Sequence, residues 1–268
     1  MTLLDKAGLA GATPDEVRAA YEADKYQDNS WTLATGYAQM ALAAVPEEYA
    51  LDFFTFCQRN AAACPVLEVL DPGDRRIRRL ATADAARALG KYRVFRDGEC
   101  VDEPHNIDGY WRDDLVTFMI GCTGSFESHM EANGIELRYL ARGLAPRVYV
   151  TNRDADPSRR FKSRLVVSMR PIRNELVSRA VQLTSRFPAF HGAPVHVGNP
   201  EYLGVDIAHP YGGRDPLDIA PDETPVFWAC SVTPQVAAVE SKVPFMMTNA
   251  PGFMFVSDLR TEALATFA

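Results

Sequence analysis

Two of the chain's five histidines, His191 and His196, lie in the segment F-P-A-F-H-G-A-P-V-H-V-G-N-P, residues 187–200. Three prolines keep helix out of it, Gly192, Ala193 and Gly198 leave space, and no acidic or basic side chain interrupts it. Fixed φ angles and missing side chains let a backbone pass close to a ligand, and histidine exchanges protons near neutral pH. The segment therefore reads as a pocket wall. His191, with Gly192 and Ala193 after it, has room beside its ring and is the favoured proton carrier. His196, between Val195 and Val197, faces opposite to them if 195–197 is a strand; it is counted with Asp206 among ligand-binding candidates, with His209 close by. The five-residue spacing of the two histidines matches no familiar zinc pattern, so no metal and no cofactor are expected.

Two further sites have one design: a buried strand, a turn of small residues, and a helix start. The first is G-C-T-G-S-F-E, Gly121, Cys122, Thr123, Gly124, Ser125, Phe126 and Glu127. Unpaired N–H groups at a helix start favour an anion. Ser125 and Thr123 add hydroxyls, and Glu127 is a candidate acid or base, although a first-turn Glu also stabilises a helix by itself. Cys122 reads as a pocket-lining residue rather than a covalent nucleophile. The second site is V-F-W-A-C-S-V-T-P-Q, residues 226–235, with Ser231, Thr233 and Gln235 as ligand candidates, Thr233 as the helix cap and Pro234 at the first helical position. On one carboxyl edge of one sheet, two such turns suit a ligand with two carboxylates. Arg170, ending the apolar strand that contains Ser168, would clamp a carboxylate of the ligand or pair with a structural acid.

The elements needed to position these groups alternate between strand and helix at both ends of the chain. A capped helix is predicted over 14–22 and another from about residue 46 through Phe56. Strands are predicted at 64–70, 115–120, 226–230, 245–248 and 254–256, a hairpin turns at Asp97-Gly98, and helices follow Ser125 and Thr233. The middle reads β-β-α-β: strands at 148–151 and 165–169, an apolar stripe from Leu176 to Phe187, and a short strand at 195–197. The fold expected is α/β, a mixed sheet flanked by helices, with a smaller α+β domain (144–223) inserted into a main domain of 1–143 and 224–268. No internal repeat is visible.

With 268 residues the chain can bury a sizeable core. Acids exceed bases by 35 − 28 = 7, which argues against nucleic acid as a partner. Arg75, Arg76, Arg78 and Arg79 form one basic cluster, read as a solvated loop. No apolar run suits a signal peptide or a membrane span, and five cysteines without a CxxC pair fit a reducing cytoplasm. A small carboxylate is the expected partner, and a homodimer is compatible with the sequence.

At these blocks the sequence resembles the D-glutamate cyclase family, whose bacterial members are described as hydro-lyases. The matching segments include D-F-F-T-F-C-Q-R-N from Asp52, C-P-V-L-E-V from Cys64, Y-R-V-F-R-D-G-E from Tyr92, and W-R-D-D-L-V-T-F-M-I-G-C from Trp111. They continue with V-V-S-M-R-P from Val166, H-G-A-P-V-H-V-G from His191, P-V-F-W-A-C-S-V-T-P-Q from Pro225, and A-P-G-F-M-F-V-S-D-L from Ala250. The resemblance implies closure of D-glutamate to 5-oxo-D-proline with loss of water, without a cofactor. Several positions depart from the family pattern. Thr123 and Gly124 replace Ser and Phe, Val150 stands for an arginine, Asn199 for an aspartate, and Asn249 and Phe253 for two histidines. Two functions follow as expectations: a lyase acting on a small acidic amino acid or related carboxylate, or a binding or sensing protein that keeps the pocket without the chemistry.

Overall fold

A computed structural model describes residues 3–266. In chain order the elements are α1 (Pro14–Glu22), β1 (Tyr37–Pro46), α2 (Glu47–Arg59), β2 (Val66–Val69), β3 (Arg76–Ile77), β4 (Ala83–Asp84), β5 (Tyr92–Arg96), β6 (Glu99–Asp102) and β7 (Leu115–Gly121). They continue with α3 (Gly124–Ala132), α4 (Arg138–Ala141), β8 (Arg147–Asp154), β9 (Arg164–Arg173), α5 (Val177–Ser185), β10 (His196–Val197), β11 (Glu223–Ala229), α6 (Thr233–Glu240), β12 (Phe245–Asn249) and β13 (Phe255–Arg260). Among the described residues, no helix is long and apolar enough to cross a membrane.

Local signals place several of these elements. Thr13 accepts from the Glu16 N–H while the Glu16 carboxylate accepts from the Thr13 N–H, and Pro14 opens α1, a capping box. Asp97-Gly98 turns the β5–β6 hairpin, both residues with positive φ, as a tight hairpin turn requires. Two arginines of the basic cluster are paired, Arg75 with Asp84 and Asp108 and Arg78 with Asp74, and the backbone N–H groups of Arg78, Arg79 and Leu80 hold the buried Glu68 carboxylate.

The sequence reading omitted the central element. β1 lies in the middle of a seven-stranded sheet ordered β2-β7-β1-β12-β5-β6, and β13 also pairs with β1. One flank of β1 meets β7; the other is shared, with β13 against Gln39 and Met40 and β12 against Ala43 and Ala44. Where β12 and β13 diverge, the Leu42 N–H donates to Asn249 Oδ1 at 3.0 Å, so a side chain satisfies a buried backbone donor. A second sheet runs β10-β11-β9-β8. One apolar core joins both, from Met40, Leu42 and Met119 of the first to Val167, Met169 and Trp228 of the second, with Phe126 of α3 and Trp228 5.7 Å apart between ring centres.

The α/β class expected from the sequence holds, with helices flanking a large sheet. Among the described residues every strand pairing is antiparallel, so they form no shared carboxyl edge of parallel strands. The chain was expected to rejoin the first sheet at residue 224. Instead β11 pairs with β9 in the second sheet, and the chain returns to the first only at β12. This corrects the boundary drawn at 223/224. An apolar strand does not identify its neighbours, and antiparallel pairing with β9 satisfies β11 as well as the first sheet would.

Candidate active site

The two strand–turn–helix units come from different sheets and repeat one another in detail. β7 ends at Gly121 and β11 at Ala229; Cys122 and Cys230 follow, then Thr123 and Ser231. The Cys122 N–H donates to the Gln39 carbonyl at 3.1 Å, and the Cys230 N–H donates to the Val166 carbonyl at 3.0 Å. The Ser125 N–H donates to the Cys122 carbonyl, and the Thr233 N–H to the Cys230 carbonyl, each at 3.0 Å. The Gln39 N–H donates to Ser125 Oγ at 2.8 Å, and the Val166 N–H to Thr233 Oγ1 at 3.3 Å. α3 then packs on β1 and α6 on β9. Each small hydroxyl thus ties its helix start to the neighbouring strand, and each thiol is left at the tip of its turn.

Between the two tips lies a cleft of about 640 Å³ including its mouth. Its polar lining comes from Thr123, Ser168, Ser231, Gln235 and Asn249, with both thiols and Arg214. Trp31, Val148, Tyr211 and Met254 close the sides. The Gln235 side-chain N–H donates to the Asn249 carbonyl at 2.9 Å, and Arg93 donates to Gln235 Oε1 at 3.2 Å. Arg214 is exposed, reaches the Pro251 carbonyl at 3.4 Å, and makes no ion pair with the described residues. Arg147, buried beside it, is bonded to the carbonyls of Asp215 and Ala145. Burial, then the neighbouring Arg214 charge, holds the Arg147 guanidinium below the usual arginine range. The rim therefore carries one cation, Arg214, with the buried Arg147 charge close behind it. Burial pushes the Cys122 thiol up to about 11 and the Cys230 thiol up to about 12.

Of the residues singled out in the sequence, Cys122, Thr123, Ser168, Ser231 and Gln235 line this cleft. Ser125 and Thr233 are buried in their turns with the bonds described above. Gly121 is held against the segment 187–190; a Cβ there would stand 1.7 Å from the Ala189 carbonyl oxygen. The proline-bracketed segment does run close to a backbone, as its composition predicts, but that backbone is the end of β7 and not a ligand.

The expectations for Arg170, Glu127, His191, His196 and Asp206 are corrected here. Arg170 does not line the cleft. It is fully buried, its Nε donates to Glu127 Oε1 at 2.7 Å, and its terminal nitrogens donate to Ser168 Oγ and Thr123 Oγ1, each at 3.0 Å. Its guanidinium lies over the rings of Phe126 and Trp228. Arg170 therefore positions two cleft hydroxyls from behind. Glu127, its partner, also accepts from the Tyr139 hydroxyl at 2.5 Å. Burial pushes the Glu127 carboxyl up, and Arg170 and Tyr139 oppose that. With Gly124, Glu127 borders a separate smaller cavity rather than the cleft.

His191 is 2 % exposed, has φ 76°, and places Nδ1 2.8 Å from the Ala62 carbonyl. Nδ1 therefore carries the proton of the neutral ring, while Nε2 is buried without a partner. Burial holds the imidazole down at about 4, so it is neutral at pH 7 and lies outside the cleft lining. His196 bonds the Asn199 carbonyl at 2.7 Å and packs against Phe227 and Tyr202, and Asp206 pairs with His209 on the surface. Neither borders the cleft. Proline and glycine spacing signals close backbone approach but does not say to what.

Sequence reasoning missed Arg214, Tyr211 and Trp31, which sit in irregular segments without strand or helix periodicity. Asn249 stood out only as a departure from the family pattern.

The comparisons bear on the whole chain. A family model described as D-glutamate cyclase matches residues 116–258. A protein of Bradyrhizobium sp. (strain ORS 278) named a "Putative hydro-lyase" is 45 % identical over 269 residues, covering 98 % of this chain and 97 % of that one. Proteins given the same description from Rhodopseudomonas palustris (strain BisB5) and Rhodococcus jostii (strain RHA1) are 46 % and 44 % identical, covering 93 % and 92 % of this chain and 92 % and 94 % of theirs. With matches of this extent on top of the shared blocks at both turns, the chain belongs to the D-glutamate cyclase family.

Proposed function

We propose that the chain is a lyase that removes water from a small acidic amino acid or related carboxylate in the cleft between the two turns, with closure of D-glutamate to 5-oxo-D-proline as the reaction in view. The observation that carries this reading is the charge arrangement of the cleft. Two helix starts, five polar side chains and Arg214 converge on it, with the buried Arg147 charge behind Arg214, while no carboxylate lines it among the described residues. That is an acceptor for anionic ligands in a chain that is acidic overall.

In such a closure the α-amine attacks the γ-carboxyl carbon, and one carboxyl oxygen leaves as water. Hydroxyls of Thr123, Ser168 and Ser231 and the dipoles of α3 and α6 would hold the developing oxyanion. Arg214 would hold the carboxylate that does not react. Glu127 and His191 are not assigned proton transfer, because neither borders the cleft.

Incubation with each enantiomer of glutamate and aspartate, with loss of water followed by mass, tests this reading. Turnover of an acidic substrate that falls on Arg214→Ala supports it. A second reading, a carboxylate-binding protein without chemistry, draws on the lack of imidazole and carboxylate in the wall. Tight binding of an acidic amino acid with no loss of mass would favour it.

A further inference from the structure

The cleft's ionisable groups, apart from Arg214 and Tyr211, are two thiols related by the repeat of the turns. The Gly124 N–H points at Cys122 Sγ at 3.5 Å. Ser231 of the second turn lines the same cleft as Cys122, and the two thiols are near enough for charge on one to disfavour charge on the other. Each thiol thus stands just before a helix start and faces one common space from its own sheet. Apart from Tyr211, no other described residue in that lining carries a proton that it can both give up and take back.

From this pairing we infer that Cys122 and Cys230 act as a two-sided acid–base pair on one carbon of the bound ligand, giving the cleft a stereoinverting activity at the α-carbon of an acidic amino acid. The inference rests on the reading of the cleft as the substrate site. In the forward direction the Cys122 thiolate takes the α-proton. The C–H bond breaks, and its electron pair remains on carbon, delocalised into the adjacent carboxylate. The Cys230 S–H gives its proton to the opposite face and becomes the thiolate, while Cys122 is left as the thiol. No electrons leave the ligand, no water is consumed, and the reverse reaction is the same step with the thiols exchanged. A site with one thiol from each turn suits this step because the two enantiomers present the same proton from opposite sides. Closure of an amino dicarboxylate to a ring requires no chemistry at the α-carbon. The thiol pair therefore adds an activity beyond water loss, one that supplies either hand of the substrate to the same cleft.

The test follows the α-proton of D- and L-glutamate and D- and L-aspartate in D2O by proton NMR, with optical rotation or chiral chromatography for inversion. The wild-type protein should exchange the α-proton and interconvert the enantiomers of at least one pair. Cys122→Ala and Cys230→Ala should each lose interconversion by at least about 100-fold, and each should still exchange the α-proton of one enantiomer, the opposite one in the two variants. Cys122→Ser and Cys230→Ser, which keep the volume, should give the same pattern with melting temperatures near that of the wild type. That mirror-image pattern would not arise from a packing role. No α-proton exchange by the wild-type protein with any of the four acids overturns the inference, as does exchange unchanged in both variants or confined to the same enantiomer in both. Water loss without α-exchange defeats the thiol pair alone, and α-exchange without water loss defeats the lyase reading alone. Absence of both defeats both.

Discussion

Replacing Arg170 by alanine removes the counter-charge of a carboxylate that is 3 % exposed. Glu127 loses the guanidinium at 2.7 Å and keeps only the Tyr139 hydroxyl. Ser168 and Thr123 lose a donor each, and the space over Phe126 and Trp228 empties. Breaking one side of a buried pair costs about 3–5 kcal/mol. For a chain of this size each kcal/mol lowers the melting temperature by about 2–4 °C, so Arg170→Ala should melt about 6–20 °C lower at pH 7. The loss should depend on pH in a stated direction. Burial already pushes Glu127 up, and without Arg170 its carboxyl rises further. Between the ordinary carboxylate pKa and that raised value the native state binds more protons than the unfolded state, so stability falls as pH rises. The deficit of Arg170→Ala is therefore smaller at pH 5 than at pH 7. Adding Glu127→Gln together with Arg170→Met removes both charges and should recover more than half of the loss. Thermal melts of the three proteins between pH 5 and pH 8 measure this. An Arg170→Ala melting temperature within about 2 °C of wild type, or a deficit equal at all pH values, would refute the structural role given to the pair.

His191, held down at about 4, contributes stability that is present above its unfolded pKa of about 6.5 and is lost as pH falls through about 4; its ring protons should show no titration between pH 5 and pH 8 by NMR, and His191→Gln should flatten the acid limb of the melting curve by up to about 3 kcal/mol. Gly121→Ala places a Cβ 1.7 Å from the Ala189 carbonyl oxygen, so it should cost at least about 1–3 kcal/mol and be visible as a lowered melting temperature or lost soluble yield; a wild-type melt would show that this backbone contact gives way. Arg214→Ala should weaken binding of acidic amino acids by about 10-fold or more in calorimetry with little change in melting temperature, because the side chain is exposed. Alkylation of Cys122, whose thiol is pushed up to about 11, should accelerate about tenfold per pH unit from 7 to 10 by mass spectrometry; a rate independent of pH would contradict that environment.

Parts of the fold were legible because their causes are local. Thr13-Pro14 capped a helix, Asp97-Gly98 turned a hairpin, and the apolar run before Gly121 made a buried strand. β1 was not legible. Its sequence, Y-A-Q-M-A-L-A-A-V-P, is alanine-rich and carries a single residue, Val45, of the β-branched kind that marks strands. It is a strand because β7, β12 and β13 supply hydrogen bonds on both flanks. The candidate site divided the same way. Both small-residue turns were visible as turns at helix starts, but nothing local told that they belong to two sheets and face each other.

The sequence by itself determined which short segments end strands, open helices and carry small hydroxyl and thiol residues, since those choices depend on neighbours a few positions away. Its motif blocks also determined the family. The tertiary structure alone decided which polar groups meet. A buried Arg170 could face a ligand or Glu127, and His191 could face a pocket or the Ala62 carbonyl; residue type and spacing are the same in either case. Burial selects among them, because a charge or an imidazole taken from water must find its partner wherever the packed chain puts one, 43 residues away for Arg170 and 129 for His191.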